Sequence, residues 1–156
     1  MPTVMDAKAI SLNMLKVSYR LMSKDLEFLP HEVFDRKFGT ACRTVADIIY
    51  EVNLVNDHVR LTISGEELFA WPEGWIFAPE DKRTKETVIA SFTHSMERFI
   101  ATVEGFSDDE MLSSLPSDDG ETNRFERCRF VAQHNWYHSG QLNFIQTLLG
   151  DDAFHW

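Results

Sequence analysis

No stretch of this chain is apolar over anything near the roughly 18 residues that a membrane-spanning helix needs, so a membrane protein is not expected. The opening residues, MPTVMDAKAISL, lack the basic start and apolar run of a secretory leader, and a cytoplasmic location is expected. Positive charge is scarce as well. Fifteen Lys and Arg stand against 25 Asp and Glu, a net charge of −10. With no basic stripe to release counterions from a polyanion, nucleic acid is excluded as a partner, and an anionic membrane surface is disfavoured. There are only two cysteines, Cys42 and Cys128, and neither belongs to a CxxC pair. That rules out a structural zinc site built on cysteine and predicts two free thiols. Seven glycines and five prolines are few for 156 residues, and they fall between helix-like segments.

What is present is helical periodicity. From about Asp6 to Phe28 the apolar residues Leu12, Leu15, Tyr19, Met22 and Leu26 recur every three or four positions, and Pro30 closes the run. A second helix is predicted from a Thr44 cap, with Asp47 supporting its positive end. It carries Ile48, Val52, Val55 and Val59 and frays at Ser64-Gly65. A third spans roughly Asp81 to Val103, with Val88, Phe92, Ser95, Met96, Phe99 and Val103 inward, and Gly105 stops it. The last runs from about Thr122 to Leu149 and ends at Gly150. Its inward row is Phe130, His134, His138, Gln141 and Ile145, flanked by Val131, Leu142, Leu148 and Leu149. The connection GEELFAWPEGWIFAPEDK, long for an interhelical loop, is expected to fold onto the body through its aromatics and to be a candidate lid. No segment has the period-2 pattern of a strand. One all-α domain over residues 1–156, a four-helix bundle, follows.

One stretch stands out chemically: QHNWYHSGQL, Gln133 to Leu142. His134 and His138 lie four apart, so they share a helix face with Cβ atoms roughly 5–6 Å apart. Two imidazoles so placed can converge on one ion at about 2.0–2.1 Å each. They can equally be hydrogen-bonded polar residues in a bundle core, where an unpaired group costs roughly 1–3 kcal/mol. Gln141 continues the polar row, and Gly140 would allow another helix to come close.

Two stretches together, RTVADIIYEV (Arg43 to Val52) and HNWYHSGQL (His134 to Leu142, with its H-x-x-x-H-x-G-Q pattern), resemble the DinB/YfiT-like superfamily, and helix order and lengths agree over almost the whole chain. The resemblance implies an up-down-down-up four-helix bundle, often a homodimer. It also implies a divalent metal, commonly nickel or zinc, held by one histidine of the second helix and two of the fourth. The latter two correspond to His134 and His138, and the first corresponds to Glu51, where this chain departs from the pattern. A carboxylate is a competent replacement, and two histidines with a carboxylate would shift preference towards zinc, iron or manganese. The alternative for Glu51 is a solvent-facing residue beside the Ile48–Val52–Val55 stripe. His58 competes for the third position but lies seven residues on, roughly 10 Å further along the axis, and is assigned to the cavity mouth or the surface. His31, His94 and His155 are expected to be ordinary polar residues.

By that resemblance the chain is expected to be a metal-dependent enzyme acting on a small molecule, a thiol-dependent transferase or a hydrolase. The alternatives are a catalytically inactive, metal-free binding module and a stress-related dimer whose helices mainly serve assembly. The acidic balance offers no evident cluster for an anionic substrate.

Overall fold

The computed structural model describes residues 6–117 and 120–156. The first five residues, part of the opening stretch in which no secretory leader is expected, and Asp118 and Asp119 of the polar stretch before the last helix, lie outside them. The described helices are α1 (Ala7–Phe28), α2 (Val45–Ser64), α3 (Lys85–Glu104), a short α4 (Asp108–Leu112) and α5 (Arg124–Leu148). The two-residue strands β1 (Ser114–Leu115) and β2 (Thr122–Asn123) pair antiparallel just ahead of α5. Neither α4 nor this pair is foreseen from the polar run SDDEMLSSLPSDDGET. In α4 a capping box supplies the missing signal, as Ser107 accepts from the Glu110 N–H while Glu110 accepts from the Ser107 N–H.

Each long helix begins where a short polar side chain takes up free N–H groups. Asp6 accepts from the Ala9 N–H, Thr44 from Asp47, Thr84 from Thr87 and Asn123 from Glu126. At Thr44 the box is complete, because the Asp47 carboxylate also accepts from the Thr44 N–H. Gly65 ends α2 in the left-handed region, φ 70°, which a residue with a Cβ adopts only under strain.

Contacts between helices give their directions. Ser18 meets Asn135 and Asp25 meets Ser139 and Asn143, so α1 and α5 run parallel. Asn53 bonds Ser91 and Asn56 bonds Met96, so α2 and α3 do too. Lys16 reaches Glu104 while Lys85 reaches Glu27, so α1 and α3 are antiparallel. Arg124 reaches the Ile63 carbonyl while Glu51 faces His134, so α2 and α5 are antiparallel. The bundle is up-down-down-up, which is why the long connection 65–84 is needed to join the parallel neighbours α2 and α3, while 29–44 joins the antiparallel α1 and α2.

One apolar core runs through it, including Leu15, Met22, Leu26, Ile49, Phe92, Phe99 and Leu142, all essentially without exposed surface. Burial of each such side chain contributes about 1.5–3 kcal/mol. The inward row expected for α3 is the buried one: Val88, Phe92, Ser95, Met96, Phe99 and Val103. On α5 the expected row is rotated. Its buried residues are Cys128, Val131, Ala132, Asn135, His138, Ser139, Leu142, Ile145 and Gln146, whereas Phe130 and Leu148 are exposed. The physical reason is that α5 buries a mixed stripe with polar Asn135, Ser139 and Gln146 in it, so its apolar residues alone do not mark the inner face.

The connection after α2 is anchored differently from the expectation. Phe69 and Trp71 pack edge-on to His58 at 5.3 and 5.7 Å between ring centroids, but Trp71 and Trp75 remain substantially exposed. What holds the segment down is polar. The buried Asp47 Oδ1 accepts from the Ala78 N–H at 2.8 Å and pairs with Arg83 at 3.1 Å, beside buried Ile76 and Ala78.

Candidate metal centre

Glu51 lies about a third of the way along α2 and His134 and His138 near the middle of α5, and the antiparallel contact of those helices brings all three to one cleft wall. One ligand atom from each lies within 4.8 Å of the others. His134 Nε2 and His138 Nε2 are 3.1 Å apart, and Glu51 Oε1 is 3.9 Å from His134 Nε2. The cleft has a volume of about 720 Å³, the size of a small-molecule site. Side-chain exposure of 15% for His134 and 22% for Glu51 means that both are reachable from it.

The donor set fits a divalent ion on two counts. A metal at about 2.0–2.1 Å from two imidazole nitrogens separates them by roughly 2.9 Å in octahedral and 3.3 Å in tetrahedral geometry, which brackets the observed 3.1 Å. The Glu51 contact is wider by roughly 0.6 Å than the tetrahedral value, within the range of a side-chain rotation. Hydrogen bonding also prepares the pair. Gln141 Oε1 lies 2.7 Å from His138 Nδ1 and accepts its proton, so Nε2 of His138 presents a lone pair to the cleft. His134 Nδ1 is buried with no partner among the described residues. A shared proton between the two Nε2 atoms leaves that nitrogen orphaned at a cost of about 1–3 kcal/mol, whereas an ion between them makes the shared proton unnecessary.

Electrostatics keep both imidazoles neutral, the form that binds metal. Burial, then the neighbouring His138, then Arg43 push His134 down to about 4. Burial and Arg43 likewise lower His138, against the Gln141 hydrogen bond, which raises it.

The residue that sequence reading did not assign to the site is Arg43. Its Nη1 pairs with Glu51 Oε2, and its guanidinium carbon lies 5.1 Å from the Trp75 ring centroid. Arg43 precedes the Thr44 cap, so helical spacing gives no direction for its side chain. The one available signal was its position two turns before Glu51. Gly140 also differs from expectation. Nothing lies within 4 Å of a Cβ built on it, so it borders open cleft and admits no neighbouring helix. His58 packs against the connection's aromatics and is not part of the candidate cluster. His31 and His155 pair with Glu86 and Asp151 at 3.0 and 2.8 Å. Both cysteines are free, Cys42 exposed at the cleft and Cys128 buried, its thiol pushed up to about 12 by burial.

A four-helix bundle of this topology, with a His/His/Glu cluster able to hold a metal facing an open cleft, defines a class. The sequence profile of the DinB superfamily matches residues 14–142, and the chain belongs to that superfamily. Its fold is similar to that of a DinB-like protein from Bacillus cereus, at 13% identity and TM-score 0.70, covering 90% of this chain and 91% of that one. It is also similar to a conserved protein from Enterococcus faecalis, at 12% identity and TM-score 0.73, covering 94% of this chain and 99% of the other. No functionally curated protein matches the chain. Among the described residues no helix is long and apolar enough to cross a membrane.

Proposed function

We propose that Glu51, His134 and His138 hold one divalent cation with an open coordination position, and that the protein is a metal-dependent enzyme acting on a small molecule in the adjoining cleft. The observation that carries this reading is the convergence of three ligand atoms within 4.8 Å of one another on the cleft wall. When bound, such an ion acidifies a coordinated water or thiol or polarises a carbonyl, the chemistry of a hydrolase or of a thiol-dependent transferase. The chain's own contribution is to aim the donors. Gln141 fixes the His138 tautomer, burial keeps both rings unprotonated, and the carboxylate lowers the charge of the complex by one. One carboxylate with two imidazoles favours zinc, iron or manganese over nickel.

Elemental analysis of dialysed, tag-free protein tests the reading. About one metal per chain is expected, falling to near zero in Glu51→Ala and His138→Ala but retained in His58→Ala. Zero metal in a folded wild type after loading would overturn it. A second reading, a metal-free binding module, draws on the Arg43–Glu51 pair, which already neutralises the carboxylate. Assembly as a homodimer in the cytoplasm belongs to the same proposal. It is supported by the exposed apolar residues Phe130, Tyr137, Phe144 and Leu148 along α5, the last three of which also line the cleft, and light scattering of the purified chain tests it.

A further inference from the structure

We infer that Arg43 is the anchor of a substrate subsite, and that the cleft takes a small organic anion: a carboxylate, or a group of like charge and shape, on an apolar body. This rests on the proposed metal reading for its full form, but its core can be tested without metal.

The cleft is mostly apolar in composition. Its walls include Phe38, Ile48, Trp75, Tyr137, Phe144 and Leu148, a surface for an apolar or aromatic body. Among the residues lining it, the only side chains charged at neutral pH are Arg43 and Glu51. On a chain of net charge −10, a cleft whose single acid is matched by an arginine is a local exception. The two charges are not placed at random within it. They form an ion pair with each other, and among the described residues Arg43 makes no other ion pair.

That pair has a consequence if Glu51 serves an ion. Glu51 faces His134 through Oε1 and Arg43 through Oε2, so its single negative charge is divided between a divalent cation and a guanidinium that is largely buried, at 13% side-chain exposure. Cation and guanidinium together carry three positive charges, and Glu51 supplies one negative. The excess of two is what an anionic ligand would offset. Arginine suits the task better than lysine, because its planar fork offers parallel N–H donors to both oxygens of a carboxylate. The orientation of the fork is already set on one face by the Trp75 ring, 5.1 Å from the guanidinium carbon. A ligand held there by its carboxylate would lay its apolar part along Trp75 and Phe144 and present its reactive end towards His134 and His138. The sequence offers no evident cluster for an anionic substrate, and the anchor inferred here is a single, largely buried arginine that overall charge does not reveal.

Calorimetric titration with phenylacetate, and with phenylacetamide as its neutral counterpart, tests the inference on two forms of the protein. On zinc-loaded wild type, phenylacetate is expected to bind roughly tenfold tighter or more. In Arg43→Gln, still holding its zinc by elemental analysis, that preference should vanish, and Arg43→Lys should keep part of it. The second form is metal-free Glu51→Gln, in which the substitution removes the carboxylate charge that competes for Arg43. It should also prefer phenylacetate, and Arg43→Gln/Glu51→Gln should not. If the protein takes up no metal, the metal reading fails while the second form still tests the anchor. Equal affinity for acid and amide in both forms would overturn the inference. So would a preference that survives Arg43→Gln, since the ion and not the arginine would then be holding the carboxylate.

Discussion

His134 concentrates the physical tension of the site in one side chain. Burial beside another imidazole and a guanidinium holds it down to about 4, against about 6.5 in an unfolded chain. The metal-free native state therefore binds fewer protons than the unfolded state between those values, and stability must fall as pH drops from about 6.5 to about 4. The loss from His134 is of the order of 3 kcal/mol, fully developed near the lower limit. Urea unfolding of metal-stripped protein at pH 7 and pH 4.5 measures it, and His134→Gln should unfold with a distinctly smaller difference between the two. Asp25 shows the opposite displacement, raised by burial despite hydrogen bonds from Ser139, Asn143 and Trp156. Asp25→Ala leaves those donors unmatched and should cost about 2–3 kcal/mol by the same assay. The histidine pair was legible in the sequence because a four-residue spacing has only one meaning on a helix face. Arg43 was not, because it lies just outside the helix, where side-chain direction depends on the path of the loop.

Among the elements, α2 has the most varied duties. Its first turn carries the Thr44–Asp47 capping box, and the same Asp47 ties down residues 76–83 through Ala78 and Arg83. Thr44→Ala removes one capping acceptor and should cost about 1 kcal/mol. Asp47→Ala strips acceptors from the Thr44 N–H, the Ala78 N–H and the Arg83 guanidinium together. It should cost about 3 kcal/mol or more by denaturant unfolding and loosen the segment bearing Trp75. Caps of this sort were readable, since Thr44 and Gly65 bracket the helix in the sequence as they do in the structure. The use of Asp47 as a tertiary anchor was not, because its partner Ala78 is 31 residues away and donates only backbone. The short α4 and the β1–β2 pair escaped for a related reason: five and two residues are too few for any period to emerge.

On the scale of the whole molecule, the bundle was legible because α2 and α3 bury mainly apolar residues at helical spacing, and α1 keeps Leu15, Met22 and Leu26 in its row beside buried Ser11, Ser18 and Asp25. The fourth, α5, hides Asn135, His138, Ser139 and Gln146 alongside its apolar residues, which blurs its inner face in the sequence. Polarity there has a consequence: the helix that contributes two of the three candidate ligands also carries the buried polar layer against α1. Core and candidate site thus share one element, so a change in how α5 seats would be felt at both. Phe99→Ala, deep in the apolar core of α3, should cost about 3–5 kcal/mol yet leave metal stoichiometry unchanged in whatever fraction stays folded, as elemental analysis of the folded fraction would report. The central claim is that one cation is held jointly by Glu51, His134 and His138, and X-ray absorption at the edge of the bound metal addresses it most directly. The account predicts a first shell of two imidazole nitrogens at about 2.0–2.1 Å with oxygen completing it, one oxygen being lost in Glu51→Ala. A shell without imidazole scattering, or one unchanged by substitution of all three residues, would contradict it.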